Sequence, residues 1–205
     1  MREATGASAP LRSGACILER SIGFLLTAVQ PVTRPMLAHP TPCAAWDLHM
    51  LLLHVGDSLA AVHEGLAAGR VGIGPGAADA SGDPVSALRV RAVRLLRHTM
   101  ASPGRAGRGA GTAAIGDLRL PVEAVAGAGA LEAAVHGWDI AQATGTGRPL
   151  PPDLAADLLD VSRTLAPPCG RRPLFGEPVD PGPYASPGDR LLAFLGRRPT
   201  ACETP

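Results

Sequence analysis

From Asp47 to Ala68 the apolar residues fall at Leu48, Leu51, Leu52, Val55, Leu59, Val62 and Leu66. Steps of three and four residues hold these on one stripe of a helix about six turns long. Such a stripe must be buried against other helices or against a sheet. Composition decides between the two. Apolar residues make up 46% of the 205, but aromatic residues only 3%. A core of Ala, Leu and Val suits close-packed helices better than a sheet, which draws on aromatic and β-branched side chains. The chain is therefore expected to be all-α.

The rest of the sequence divides in the same way. A first helix is expected from about Ala15 to Val29, stopped before Pro31, and Pro35, Pro40 and Pro42 make the following stretch an extended loop. A third helix starts near Asp83 and Pro84 and reaches about Met100, with Arg89, Arg91, Arg94 and Arg97 read as a solvated face. Gly116 to Leu120 suggests a short extended piece. A fourth helix is expected from Pro121 to Ala143, ending near Gly145, and a fifth from Pro152 to about Leu165. A Pro/Gly-rich connection, Pro167 to Gly188, leads to a short last helix, Asp189 to Leu195. The Gly-rich stretches Gly69 to Gly82 and Ser102 to Gly111 read as loops. This organisation predicts a disordered N-terminus over 1–14, a helical bundle over 15–197 and a tail over 198–205.

Several functional classes are disfavoured. A formal net charge of +1 lacks the basic excess of a nucleic-acid binder. No apolar run is long enough to span a bilayer, and the run from Ile22 to Val29 follows Glu19 and Arg20 without a cleavage-like sequence. The four cysteines, Cys16, Cys43, Cys169 and Cys202, form no Cys-x-x-Cys pair. A cytoplasmic protein with reduced thiols, no nucleic-acid partner and no membrane partner is expected.

The segment carrying chemistry is Leu131-Glu132-Ala133-Ala134-Val135-His136-Gly137-Trp138-Asp139. Glu132 and His136 stand one helical turn apart on one face, which also carries Val125, Ala128, Asp139 and Ala143. A carboxylate and an imidazole are both ordinary ligands of a divalent metal. The same spacing also suits a simple hydrogen-bonded pair, or two groups facing water. On the second helix, His54 flanks the apolar stripe, His63 lies nearer its centre and His49 is a further candidate, so periodicity leaves the third ligand open.

Two blocks carry a resemblance to a known family. Pro40-Thr-Pro-Cys-Ala-Ala-Trp46-Asp-Leu-His-Met-Leu-Leu-Leu-His54-Val leads into the second helix, and Glu132-Ala-Ala-Val-His136-Gly-Trp-Asp139 lies on the fourth. Both resemble the mycothiol-dependent maleylpyruvate isomerase family of actinobacteria, a branch of the DinB-like metal-binding four-helix bundles. The ending Ser186-Pro-Gly-Asp-Arg-Leu-Leu-Ala-Phe-Leu-Gly196-Arg is similar to the tail of its shorter members.

The resemblance implies a DinB-like bundle in which His54, Glu132 and His136 hold a divalent metal, usually zinc. Asp139 would orient an imidazole from behind. Trp46 and Trp138 read as packing residues, and Cys43 as part of the turn into the second helix. A His₂Glu set with one open position is the pattern of a catalytic zinc. The implied activity is metal-assisted activation of a small thiol, mycothiol, for S-transfer to an electrophilic small molecule or its isomerisation. Two other readings use the same site: a thiol-independent Lewis-acid or hydrolytic enzyme of specialised metabolism, and a metal- or ligand-binding module without turnover. Metal binding transfers from the family, but maleylpyruvate as substrate does not. The short members lack the isomerase's C-terminal domain and the arginine it brings near the active site. No arginine here maps onto that one.

Overall fold

The computed structural model describes residues 13–43, 46–72, 82–101, 111–166, 171 and 175–198. Its elements, in order, are α1 (Gly14–Val29), a 3-10 turn (Arg34–Ala38), α2 (Leu48–Ala68), β1 (Arg70–Val71), α3 (Pro84–Ala101), β2 (Thr112–Ile115), β3 (Leu118–Pro121), α4 (Val122–Ala143), α5 (Pro152–Leu165) and α6 (Pro187–Phe194). The fold is all-α and DinB-like. Helices α1, α4, α2 and α3 pack in a ring, each against the next, while α5 packs on α4 and α1 and carries α6.

The helix ends follow local chemistry. The α1 helix takes in Gly14, because Ser13 caps it by accepting the Cys16 N–H at 3.4 Å. It therefore begins inside the stretch expected to be disordered; residues 1–12 of that stretch lie outside the described residues. Asp47 caps α2 by accepting the Met50 N–H at 2.8 Å, and Gly69 ends it in a left-handed conformation. Ser186 and Asp189 form a capping box, so α6 starts two residues before the expected Asp189. Most of the two Gly-rich loops, the tail from 199 onward, Cys169 and Cys202 also lie outside the described residues.

The expected extended piece is one strand of a hairpin. β2 pairs antiparallel with β3 across a two-residue turn, where Gly116 takes φ +58°, and β1 adds to β2 in parallel. This small sheet sits beside the bundle without altering its class.

The stripe on α2 is buried as expected from Leu48 to Val62, with Leu66 partly covered. The α4 helix differs from its expected single face. Ala128 is exposed, whereas from Gly129 to Ala141 every residue except Glu132 is buried, because α1, α2 and α5 surround it. Its glycines let neighbours approach closely. A Cβ on Gly137 would lie 3.0 Å from Phe24 Cδ1 and 3.3 Å from Leu25 Cα, and one on Gly129 would lie 2.8 Å from Val62 Cγ1. That close packing carries α4 against α1 and α2 and sets where its polar side chains meet α2.

Candidate metal centre

Where α2 and α4 meet, three side chains converge. His54 Nε2 lies 3.3 Å from Glu132 Oε2, and His136 Nε2 lies 3.4 Å from the same oxygen. One potential ligand atom from each of the three residues falls within 4.8 Å of the others. The two imidazole rings stand edge to face at 90°, with centroids 5.2 Å apart. Among the described residues this is the one group of three or more His, Cys, Asp or Glu side chains with such geometry. His49 is exposed and takes no part, and His63 pairs elsewhere with His98.

The charges favour a proton or a metal ion between these atoms. Glu132 Oε2 is buried and accepts no hydrogen bond of adequate geometry. Burial disfavours its charge, but the adjoining His136 and His54 outweigh that and hold the carboxyl well below the ordinary range. Behind it, His136 Nδ1 lies 2.9 Å from Asp139 Oδ2. An ionised carboxylate can only accept, so the proton between them sits on Nδ1. In a neutral His136 the Nε2 lone pair then faces the Glu132 carboxylate, which is repulsive unless a proton or a metal ion intervenes. The donor set of two imidazole nitrogens and a carboxylate oxygen fits a divalent metal such as zinc. Burial also opposes a charge on His136, but the contacts with Asp139 and Glu132 prevail and raise its pKa.

Asp139 is fully buried and held by an arginine that the sequence did not single out. Arg197 Nη2 donates to Asp139 Oδ2 at 2.8 Å and Arg197 Nε to Oδ1 at 3.3 Å. Burial works against both charges, yet the pair stays ionised: Asp139 is shifted down by His136 and Arg197, and Arg197 is shifted up by Asp139. One arginine of this chain thus reaches the centre, where sequence alone matched none to the arginine of the isomerase's C-terminal domain.

The turn before α2 forms the near wall. Thr41 Oγ1 donates to the carbonyls of Cys43 and Trp46 at 3.2 and 2.9 Å, and the Trp46 N–H bonds the Cys43 carbonyl at 2.8 Å. Trp46 is half-buried, and its ring centroid lies 4.4 Å from that of His54 and 6.4 Å from that of His136. It packs as expected, but on the ligand candidates themselves. Trp138 is buried in the core. The Cys43 backbone builds the turn, while its thiol feels Arg197, Asp139 and Glu132; burial, the largest influence, pushes its pKa up.

The sequence model of the mycothiol maleylpyruvate isomerase N-terminal domain matches residues 18–141. The chain belongs to that family. The matched stretch contains His54, Glu132, His136 and Asp139 but stops well before Arg197. Two relatives are uncharacterized proteins from the CDC 1551 and H37Rv strains of Mycobacterium tuberculosis. Each is 32% identical over 173 residues, covering 81% of this chain and 87% of the relative. No solved structure matches the chain. No helix among the described residues is long and apolar enough to cross a membrane.

Proposed function

We propose that this chain is a metal-dependent enzyme that activates a low-molecular-weight thiol, mycothiol, for attack on an electrophilic small molecule. His54, Glu132 and His136 are the ligands, and zinc is the metal. The observation that carries this reading is the convergence of two Nε2 atoms on one buried carboxylate oxygen that accepts no well-formed hydrogen bond. The family's name supplies the thiol. Two neutral imidazoles and one carboxylate carry a charge of −1, which leaves a divalent cation net positive and receptive to an anion.

When bound, such a cation supplies Lewis acidity that lowers the pKa of a thiol or of water. The protein's own groups do the rest. Asp139 accepts a hydrogen bond from His136 Nδ1–H and so keeps the Nε2 lone pair free to bind a metal. Trp46 covers the His54 ring and limits water on that side. The reaction class is formation of a sulfur–carbon bond, with the thiol proton lost to solvent. In S-transfer the electrophile's leaving group departs with its bonding pair. In isomerisation the thiolate adds to a conjugated double bond, the π pair moves onto the carbonyl oxygen, and its return after rotation expels the thiolate. The setting is cytoplasmic, where a reduced thiol is available.

Two measurements test the proposal. Elemental mass spectrometry of the purified native protein should give one equivalent of zinc or a similar ion, lost in His54→Ala. Turnover of electrophilic substrates should then require mycothiol. Metal without thiol dependence would leave the Lewis-acid or hydrolytic reading, and no metal after reconstitution would leave a binding module.

A further inference from the structure

The C-terminal segment is built to deliver one side chain to the centre. After α6, the Arg197 N–H bonds the Leu192 carbonyl at 2.8 Å and the Gly196 N–H bonds that of Ala193 at 3.0 Å. Gly196 takes φ +82°, and a Cβ there would lie 2.6 Å from Gly176 Cα, so this turn admits glycine alone. Arg171 ties the crossing together: its Nε donates to the Gly176 carbonyl at 3.1 Å and its Nη2 to the Phe194 carbonyl at 2.5 Å. Its guanidinium also stands 4.7 Å from the Phe194 ring centroid. None of these contacts involves His54, Glu132 or His136. The position of Arg197 is therefore set independently of the cluster.

From that position, Arg197 grips both oxygens of Asp139. The terminal torsion of an aspartate is soft, and a two-point guanidinium fork is what removes that freedom. The carboxylate so fixed presents Oδ2 to His136 Nδ1 at 2.9 Å. We propose that Arg197 is a positioning residue: by locking the Asp139 carboxylate it fixes the ring and tautomer of His136, so the C-terminal segment sets how tightly the centre holds its metal. The statement about metal rests on the ligand reading above; the statement about His136 does not. Outer partners of this kind typically change metal affinity by about 10- to 100-fold.

The test uses the full chain as wild type, Arg197→Gln, Arg197→Lys and Gly196→Ala. Cobalt(II) serves as the spectroscopic metal, and ¹⁵N NMR reports the His136 tautomer in metal-free protein. Wild type should bind one cobalt and, at a pH high enough for the ring to be neutral, show His136 protonated at Nδ1 alone. Arg197→Gln should lower cobalt affinity by about 10- to 100-fold, alter the d–d bands and give mixed tautomers. Arg197→Lys, which keeps the charge but loses the fork, should fall between. Gly196→Ala, which touches neither Asp139 nor the ligands, should reproduce the glutamine variant. Unchanged affinity, spectrum and tautomer in Arg197→Gln would overturn the proposal while leaving the ligand reading intact. If that variant does not fold, the same unchanged result in Arg197→Lys overturns it. If wild type binds no cobalt, the ligand reading falls, and the tautomer decides Arg197: mixed tautomers in the variants sustain its positioning role, and a single unchanged one ends it.

Discussion

Two pairs of histidines stack edge to face in this protein, with ring centroids 5.2 Å apart in each. His54 and His136 join α2 to α4 at 90°, and His63 and His98 join α2 to α3 at 81°. Ring geometry barely separates them; their neighbours do. The first pair faces Glu132 and is backed by Asp139, and these carboxylates raise the pKa of His136 against the effect of burial. The second pair has Arg94 beside it, and burial, Arg94 and His98 together lower the pKa of His63. One site attracts a cation and the other repels it. Proximity of imidazoles alone is a poor guide to a metal centre; the sign of the surrounding charge decides.

The sharpest way to break this comparison is to remove ligands from each pair. Glu132→Ala or His136→Ala should abolish nearly all metal binding, read by elemental analysis, while circular dichroism still reports a helical protein. His63→Ala and His98→Ala should keep the full equivalent. Zinc should raise the melting temperature of wild type and of the His63 variant, but not that of the His136 variant. Metal retained in both the Glu132 and His136 variants would sink the assignment.

The next effect concerns the buried anion that only the first pair possesses. Asp139→Asn leaves Arg197 buried without its counter-charge, and breaking such a pair costs about 3–5 kcal/mol. In the native protein Asp139 titrates below its unfolded value, despite burial, because His136 and Arg197 hold it ionised. The unfolded chain therefore binds protons first as pH falls. This contribution is complete above about pH 4 and is lost as pH drops through the lower folded value. Urea midpoints measured across the acid range should slope in wild type and slope less in the asparagine variant. An equal slope in both would mean that Asp139 is not the group responsible.

A smaller effect probes the thiol beside the first pair. Cys43 contributes its backbone to the turn before α2, and burial keeps its thiol protonated. Cys43→Ser should retain metal and thiol-dependent turnover to within about threefold, under 1 kcal/mol of barrier. Loss of turnover with metal still bound would give that sulfur a chemical role.

The smallest effect belongs to the second pair. His63 has a folded pKa below its unfolded value, so the unfolded chain takes up its proton first near pH 6.5. Its contribution to stability is present above that pH and is lost on acidification through the lower folded value. His63→Gln should flatten melting temperature against pH in that window without changing metal content. A wild-type-like profile would show that neither burial nor Arg94 shifts this imidazole enough to matter.

How much of this was legible beforehand depends on the range of the interaction. The α2 stripe follows from spacing, so it could be read residue by residue. For α4, Glu132 and His136 were visible as neighbours on a face. Its burial on nearly all sides was not, because that depends on Gly129 and Gly137 meeting Val62 and Phe24 from other helices. The strand Arg70–Val71 is two residues long and pairs with residues 114 and 115, so no local pattern could announce it. His54, His63 and His49 were equivalent by periodicity until the family resemblance favoured the first.

Arg197 marks the far end of that scale. It is one of 19 cationic residues with nothing distinctive in its spacing, and its partner Asp139 lies 58 residues earlier. The sequence by itself determined the helical class, the approximate spans of its helices, and the family whose motif contains His54, Glu132, His136 and Asp139. Those properties depend on side chains within a few turns of one another. Only the tertiary structure brought His54 against Glu132, set Trp46 beside the His54 ring, and placed Arg197 behind Asp139. Such meetings depend on how side-chain volumes let helices cross, and that is settled between distant segments rather than along any one of them.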